Sequence, residues 1–189
     1  NINLFLLILL FEVYRLLIRK KDWQAGALYG LILLFKPHFL LVLPYLLWKR
    51  KLRAAGATLL SVIIGLFLPA LGVGWNENLR LLQFWGFTIG DHNVALQHSP
   101  NTFYGLINHA FLGGVAGPIL IVVVLALVAA GIAGWLIYND RRHGKTLSTD
   151  IRYEEYFLLI GLVPNLVHTD TEHFMWVWPM LVLAVCAAL

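Results

Sequence analysis

Apolar residues run along this chain in blocks near 2–18, 23–48, 54–74, 117–138, 154–167 and 175–189, separated by polar punctuation. A soluble domain of this size would alternate core and surface positions instead. The runs from Ala54 to Gly74 and from Gly117 to Tyr138 approach the ~20 residues that a helix needs to cross hydrocarbon. The pattern predicts an all-α fold, a polytopic transmembrane helical bundle in one domain over residues 1–189. No internal repeat interrupts it, and no low-complexity stretch occurs beyond the apolar runs themselves.

Composition sharpens the picture: 60% of the 189 residues are hydrophobic, 13% are charged and the mean hydropathy is +0.77. These values exclude a disordered or disulfide-built chain. The one cysteine, Cys186, permits no internal disulfide. The chain begins at Asn1 rather than at a methionine and ends inside the apolar run Met175 to Leu189, so a piece truncated at both ends is expected.

Charge supplies the topology. Lys and Arg number 14 against 10 acidic residues, and most lie in three clusters: Arg19, Lys20 and Lys21; Lys49, Arg50, Lys51 and Arg53; Arg141, Arg142, Lys145 and Arg152. Basic residues beside the ends of apolar segments orient a membrane protein and mark cytoplasmic loops, so nucleic acid is not an expected partner. A single crossing by residues 23–48 would put one of the first two clusters outside. The segment is therefore split at Lys36-Pro37, where proline removes a backbone donor and disfavours helix at the preceding residue. Arms from Trp23 to Phe35 and from Pro37 to Trp48 follow, and the bundle has about seven crossings. Residues 54–74 then run outward, 117–138 inward, 154–167 outward and 175–189 inward. An outer loop, 75–116, carries interfacial helices, with Trp75, Phe84, Trp85 and Phe87 suited to the membrane surface; the loop 139–153 is cytoplasmic.

Several polar groups stand out within this frame. Lys36, in an otherwise apolar stretch, costs ~2.5–3.5 kcal/mol at a bilayer centre on insertion scales, so a compensating partner is expected. A lipid phosphate suits its three donors, with free backbone groups at the break to help. Glu12 and Arg15, three apart, share a helix face and can neutralise each other. Asp91-His92-Asn93 and Gln97-His98-Ser99-Pro100-Asn101 crowd hydrogen-bonding groups into a loop, suited to a polyhydroxylated ligand or simply to solvent. His168-Thr169-Asp170-Thr171-Glu172-His173 gathers two imidazoles and two carboxylates at the outer mouth, groups fit for acid–base work or for binding sugar hydroxyls. Its spacing matches no compact zinc pattern, so no metal is expected. There is no glycine-rich phosphate loop and no Gly-x-Ser-x-Gly elbow.

At Gly30-Leu-Ile-Leu-Leu-Phe-Lys36-Pro37-His38, and on through Trp48-Lys49-Arg50-Lys51-Leu52-Arg53, the sequence resembles glycosyltransferase family 87, whose members are membrane enzymes of the GT-C type. Leu52 stands where tryptophan is usual in the basic turn. Gln97-His98-Ser99-Pro100-Asn101 looks like the family's outer Asn-Gln-Ser-type loop with its Asn and Gln displaced, and Pro164-Asn165 through His168 and His173 to Trp178-Pro179 is similar to its late loop. The resemblance implies inverting transfer of a hexose, typically mannose, from a polyprenyl-phosphate donor to a lipid-linked or glycan acceptor. The reaction would take place on the outer face of a multi-pass protein in a bacterial cytoplasmic membrane, with no cofactor beyond the donor. Membrane lipids would be its other partners. Lys36 and His38 become candidates for the donor phosphate, and Gln97, His98, Asn101, His168, Asp170, Glu172 and His173 for sugar or acceptor. The catalytic base, by the same resemblance, lies in a first outer loop upstream. Two other readings compete: a transporter of an anionic or lipid-phosphate substrate that uses Lys36 at a broken helix, and a noncatalytic scaffold in which Lys36 pairs with Glu12.

Overall fold

A computed structural model describes residues 2–95, 118–142, 150–166 and 177–188, and all the regular structure among them is helical. The helices are α1 (Ile2–Ile18), α2 (Asp22–Phe35), a 3₁₀ helix (Pro37–Leu41), α3 (Val42–Trp48), α4 (Leu52–Phe67), α5 (Ala70–Val73), α6 (Trp75–Ala95), α7 (Pro118–Arg142), α8 (Tyr153–Leu166) and α9 (Trp178–Ala188).

The split of the second apolar block has a definite form. Lys36 leaves the helix at φ −139°, ψ 86°, as a residue before proline must, and Pro37 opens the 3₁₀ helix. The outgoing limb, α2, is about 21 Å long. The returning limb, five 3₁₀ residues followed by seven α residues, measures about 20 Å. The two lengths match, so the chain returns to the level from which it started.

Contacts between α2 and α4 confirm that return. A side chain added at Gly26 would meet the Ala54 carbonyl oxygen at 2.1 Å, one at Gly30 would meet Ser61 Cβ at 2.5 Å, and Leu34 lies against Gly65. The ascending order on both helices makes α2 and α4 parallel neighbours. Gly26 and Gly30 form a small-xxx-small face that lets the two backbones approach, and Ser61 Oγ donates to the Ala27 carbonyl at 3.0 Å. Since the Ala54 oxygen belongs to backbone that cannot step aside, Gly26→Val is expected to cost at least the 1–3 kcal/mol typical of overpacking. Thermal unfolding in detergent would measure it, and a wild-type melting temperature would refute the close approach.

The basic clusters meet at one end of the bundle. α1 and α3 finish in the same way: Lys21 N–H bonds the Leu16 carbonyl at 2.9 Å and Lys51 N–H bonds that of Leu46 at 2.8 Å, with Lys20 (φ 59°) and Arg50 (φ 54°) left-handed. These are Schellman closures. Lys51 reaches Asp22 at the start of α2, 3.6 Å away. α8 starts at this end as well and runs antiparallel to α1: Tyr14 meets Tyr153, and Phe11 meets Phe157 with ring centroids 4.5 Å apart. Tyr156 Oη donates to the Leu10 carbonyl at 3.2 Å.

The opposite end is built around Pro69 and Gly74. Pro69 has no N–H to continue the α4 ladder, and the chain turns through Leu68 and Pro69 into α5. Leu52–Val73 as a whole is long and apolar enough to cross a membrane, with a mean hydropathy of 2.1 and little of it buried. Gly74, at φ 88°, then allows a reversal that few other residues would tolerate. Asn78 donates to the Leu66 carbonyl at 3.1 Å and Trp75 stacks on Phe67, which pins α6 to the end of α4. On α6, the Arg80 guanidinium hydrogen-bonded to Glu77 holds that carboxyl below its ordinary range.

Two expectations are corrected here. Asp91-His92-Asn93 belong to α6, which continues to Ala95, and are not in a loop; the first proline after Pro69 is Pro100, so nothing in this stretch forbids the helix. The start of α9 was expected at the outer end. Tyr153 Oη instead donates to the Pro179 carbonyl at 3.1 Å, so α9 begins beside the first turn of α8. Eleven residues of α9, Trp178–Ala188, are described.

Candidate functional site at the helix break and the buried ion network

The break at Lys36-Pro37 is the tip of the hairpin. Tyr29, one of the largest fully buried side chains, donates its hydroxyl to the Phe39 carbonyl across the fold, and the Phe39 N–H returns to the Lys36 carbonyl at 3.2 Å. The backbone around the tip is therefore fixed from both limbs. Lys36 and His38, on either side of Pro37, are both half-buried. The Leu34–Gly65 contact sets the tip level with the last turn of α4, about 21 Å from the basic end. That is some two-thirds of a ~30 Å hydrocarbon layer.

The other limb ends in a second polar centre. Lys49 Nζ lies 2.8 Å from Glu155 Oε2 and 3.0 Å from Asp140 Oδ1, and all three side chains are at most 1% exposed. Tyr45 Oη donates to Glu155 Oε2 at 2.8 Å, and Asn139 Nδ2 donates to Glu155 Oε1 at 2.9 Å. Arg152 Nη1 donates to the Asn139 carbonyl at 3.0 Å and stands 3.5 Å from Asp140. Two cations and two carboxylates thus neutralise each other in the interior and clamp the end of α3 to the end of α7 and the start of α8. Burial of charge on this scale is tolerated only when every partner is paired and hydrogen-bonded.

The sequence-predicted residues divide accordingly. Lys36 and His38 are brought to one tip. Glu12 is engaged by Arg15 at 2.6 Å, as their spacing anticipates. Gln97, His98, Asn101, His168, Asp170, Glu172 and His173 lie outside the described residues. Sequence reasoning misses the network of Tyr45, Lys49, Asn139, Asp140, Arg152 and Glu155, because Lys49 and Arg152 stand in basic clusters whose members read as loop charges. A signal did exist: Val42, Tyr45, Leu46 and Lys49 share one helical face, the first three apolar or aromatic, so Lys49 points where they point.

Between these two polar centres lies an apolar cavity of about 220 Å³, walled by the returning limb, α7 and Leu159 of α8. Tyr45 lines it with its ring while its hydroxyl joins the network.

Taken together, these features define a helical chain organised around a re-entrant hairpin, with a helix fit to cross a membrane and a cation at the hairpin tip. The sequence pattern of glycosyltransferase family 87 matches residues 1–150, and the chain belongs to that family. It is accordingly a glycosyltransferase, and the transporter and scaffold readings fall away. No curated protein and no solved structure matches it.

Proposed function

We propose that this protein transfers a hexose, mannose in the first instance, from a polyprenyl-phosphate donor to a lipid-linked or glycan acceptor, with inversion, on the membrane face opposite the basic loops. The observation that carries the reading is the hairpin tip, where a lysine and a histidine flank a proline break level with the last turn of α4, in a chain of this family. Displacement at the anomeric carbon releases a lipid phosphate. An ammonium already held against the developing negative charge lowers the barrier without reorganising. The low dielectric around a half-buried tip strengthens that attraction. His38, two residues on, is suited to donate a second hydrogen bond to the same phosphate.

The rest of the reading follows from this placement. The protein crosses the cytoplasmic membrane several times with Arg19–Lys21, Lys49–Arg53 and Arg141–Arg152 inside. The acceptor hydroxyl loses its proton to a carboxylate base outside the residues described here, while Gln97, His98, Asn101, His168, Asp170, Glu172 and His173 bind sugar or acceptor. No metal or organic cofactor takes part.

The test uses the full-length protein in detergent with synthetic polyprenyl-phosphate mannose, polyprenyl-phosphate glucose and a nucleotide-activated mannose as alternative donors. Sugar release from a polyprenyl-phosphate donor is expected. Turnover of the nucleotide sugar alone would overturn the proposed donor class, and turnover of the glucosyl donor alone would replace mannose.

A further inference from the structure

We propose that the cavity between the returning limb, α7 and α8 is a binding site for one chain of an anionic phospholipid whose headgroup lies against the basic end of the bundle. The inference rests on the membrane embedding proposed above, not on the transfer reaction. Three observations carry it. The cavity is lined by apolar atoms almost throughout: Leu41, Pro44 and Trp48 on the limb, Ala129, Ala133 and Leu136 on α7. Ala129 and Ala133 are one turn apart on one face of α7, and their small side chains leave the space that larger residues would fill. A hydrocarbon chain suits such a slot, while water has no polar partners there.

The second observation is Trp48. Its indole Nε1 is buried and has no hydrogen-bond partner among the described residues, although a buried donor ordinarily finds one. Trp48 is the last residue of α3 and sits at the basic end of the slot. Nε1 has almost no accessible surface in this arrangement, so the indole must turn toward the slot, where a phosphate or ester oxygen of an entering lipid would accept its bond.

The third is charge. Arg50 follows Trp48 by two residues, and Arg141 and Arg142 follow Leu136 by about one and a half turns; all three are exposed. Lys49 and Arg152, by contrast, are already neutralised by Asp140 and Glu155. The exposed arginines that follow the slot's own lining segments are thus able to attract an anionic headgroup. Tyr45 links the two regions, so an occupied slot packs directly against the ion network.

The experiment reconstitutes the full-length protein in bilayers that contain either phosphatidylglycerol or phosphatidylcholine with a photoreactive diazirine on the acyl chain, and maps the labelled peptides. Phosphatidylglycerol is expected to label residues 41–48 and 129–136 more strongly than phosphatidylcholine. Neutralising Arg50, Arg141 and Arg142 to Gln should weaken that labelling by about fivefold for each arginine, the attraction of one basic side chain for an anionic surface. Ala133→Phe should abolish labelling of the slot. Because Ala133→Phe can disturb packing, the exposed arginines and Trp48→Phe, which keeps the ring and removes the donor, give independent readings. Equal labelling by both lipids, or labelling unmoved by all these changes, overturns the proposal. Displacement of the probe by unlabelled polyprenyl phosphate but not by unlabelled phosphatidylglycerol also overturns it and gives the slot to the donor. Sugar transfer is assayed separately, so loss of transfer with intact lipid labelling counts only against the proposed reaction.

Discussion

Replacing Glu155 with alanine is expected to destabilise the folded protein by about 3–5 kcal/mol, the usual consequence of removing one partner of a buried ion pair. The carboxylate accepts from Lys49 and Tyr45 on one oxygen and from Asn139 on the other. Its loss leaves a buried ammonium with Asp140 alone and leaves the Tyr45 hydroxyl without this acceptor. Glu155→Gln keeps an acceptor oxygen and should cost less. The informative comparison is a double-mutant cycle with Lys49→Met and Glu155→Leu, which removes charge of both signs and leaves Asp140 to Arg152, 3.5 Å away. The double variant should be more stable than the sum of the singles predicts, with a coupling of about 1–3 kcal/mol. Thermal unfolding in one detergent reports all four proteins. Single variants as stable as wild type would mean that the network does not hold these helix ends together.

Lys36→Ala should act in the opposite sense, on catalysis rather than on stability. Removing a preorganised donor from a developing oxyanion typically costs 10²–10³-fold in turnover, roughly 2.7–4 kcal/mol of barrier, and the loss should fall on kcat more than on KM. The tip backbone is held by the Tyr29 hydroxyl and by Pro37, both of which the substitution leaves in place, so the melting temperature should change little. Lys36→Arg keeps the charge but presents it as a wide planar fork, and should recover part of the rate. Full activity in Lys36→Ala, with polyprenyl-phosphate mannose as donor, would remove Lys36 from the reaction while leaving the family assignment intact.

The hairpin was legible in the sequence through two physical constraints: basic residues resist translocation, and proline cannot continue a helix. Together they required the second block to double back at Lys36-Pro37. α1 was legible from its apolar run, and the Glu12–Arg15 pair from helical spacing. What the sequence withheld was pairing across distance. Lys49 meets Asp140 and Glu155, 91 and 106 residues away, and no local period says which member of Lys49-Arg50-Lys51 turns inward. The parallel contact of α2 with α4 was hidden for a related reason. Gly26 and Gly30 look like ordinary members of an apolar run until a partner helix with Ala54, Thr58 and Ser61 is set against them. The placement of α9 beside the first turn of α8 rests on the Tyr153 hydroxyl and the Pro179 carbonyl, 26 residues apart, a pairing that alternation of apolar segments does not reveal.

The parallel arrangement of α2 and α4 also constrains the order in which the protein is made. A chain emerging residue by residue leaves the glycine face of α2 bare, because the helix that covers Gly26 and Gly30 has yet to be synthesised. Between the two lies a limb that must reverse direction, carry Tyr45 and Lys49 back to the starting end and lead into α4, which runs parallel to α2. α2 therefore has no finished neighbour on that face until α4 arrives. Nor does Lys49 acquire its carboxylates until α7 and α8 follow. Assembly of this protein is thus a sequence of deferred pairings, with the Tyr29–Phe39 bond across the hairpin available as an early local closure while the later helices are still to come.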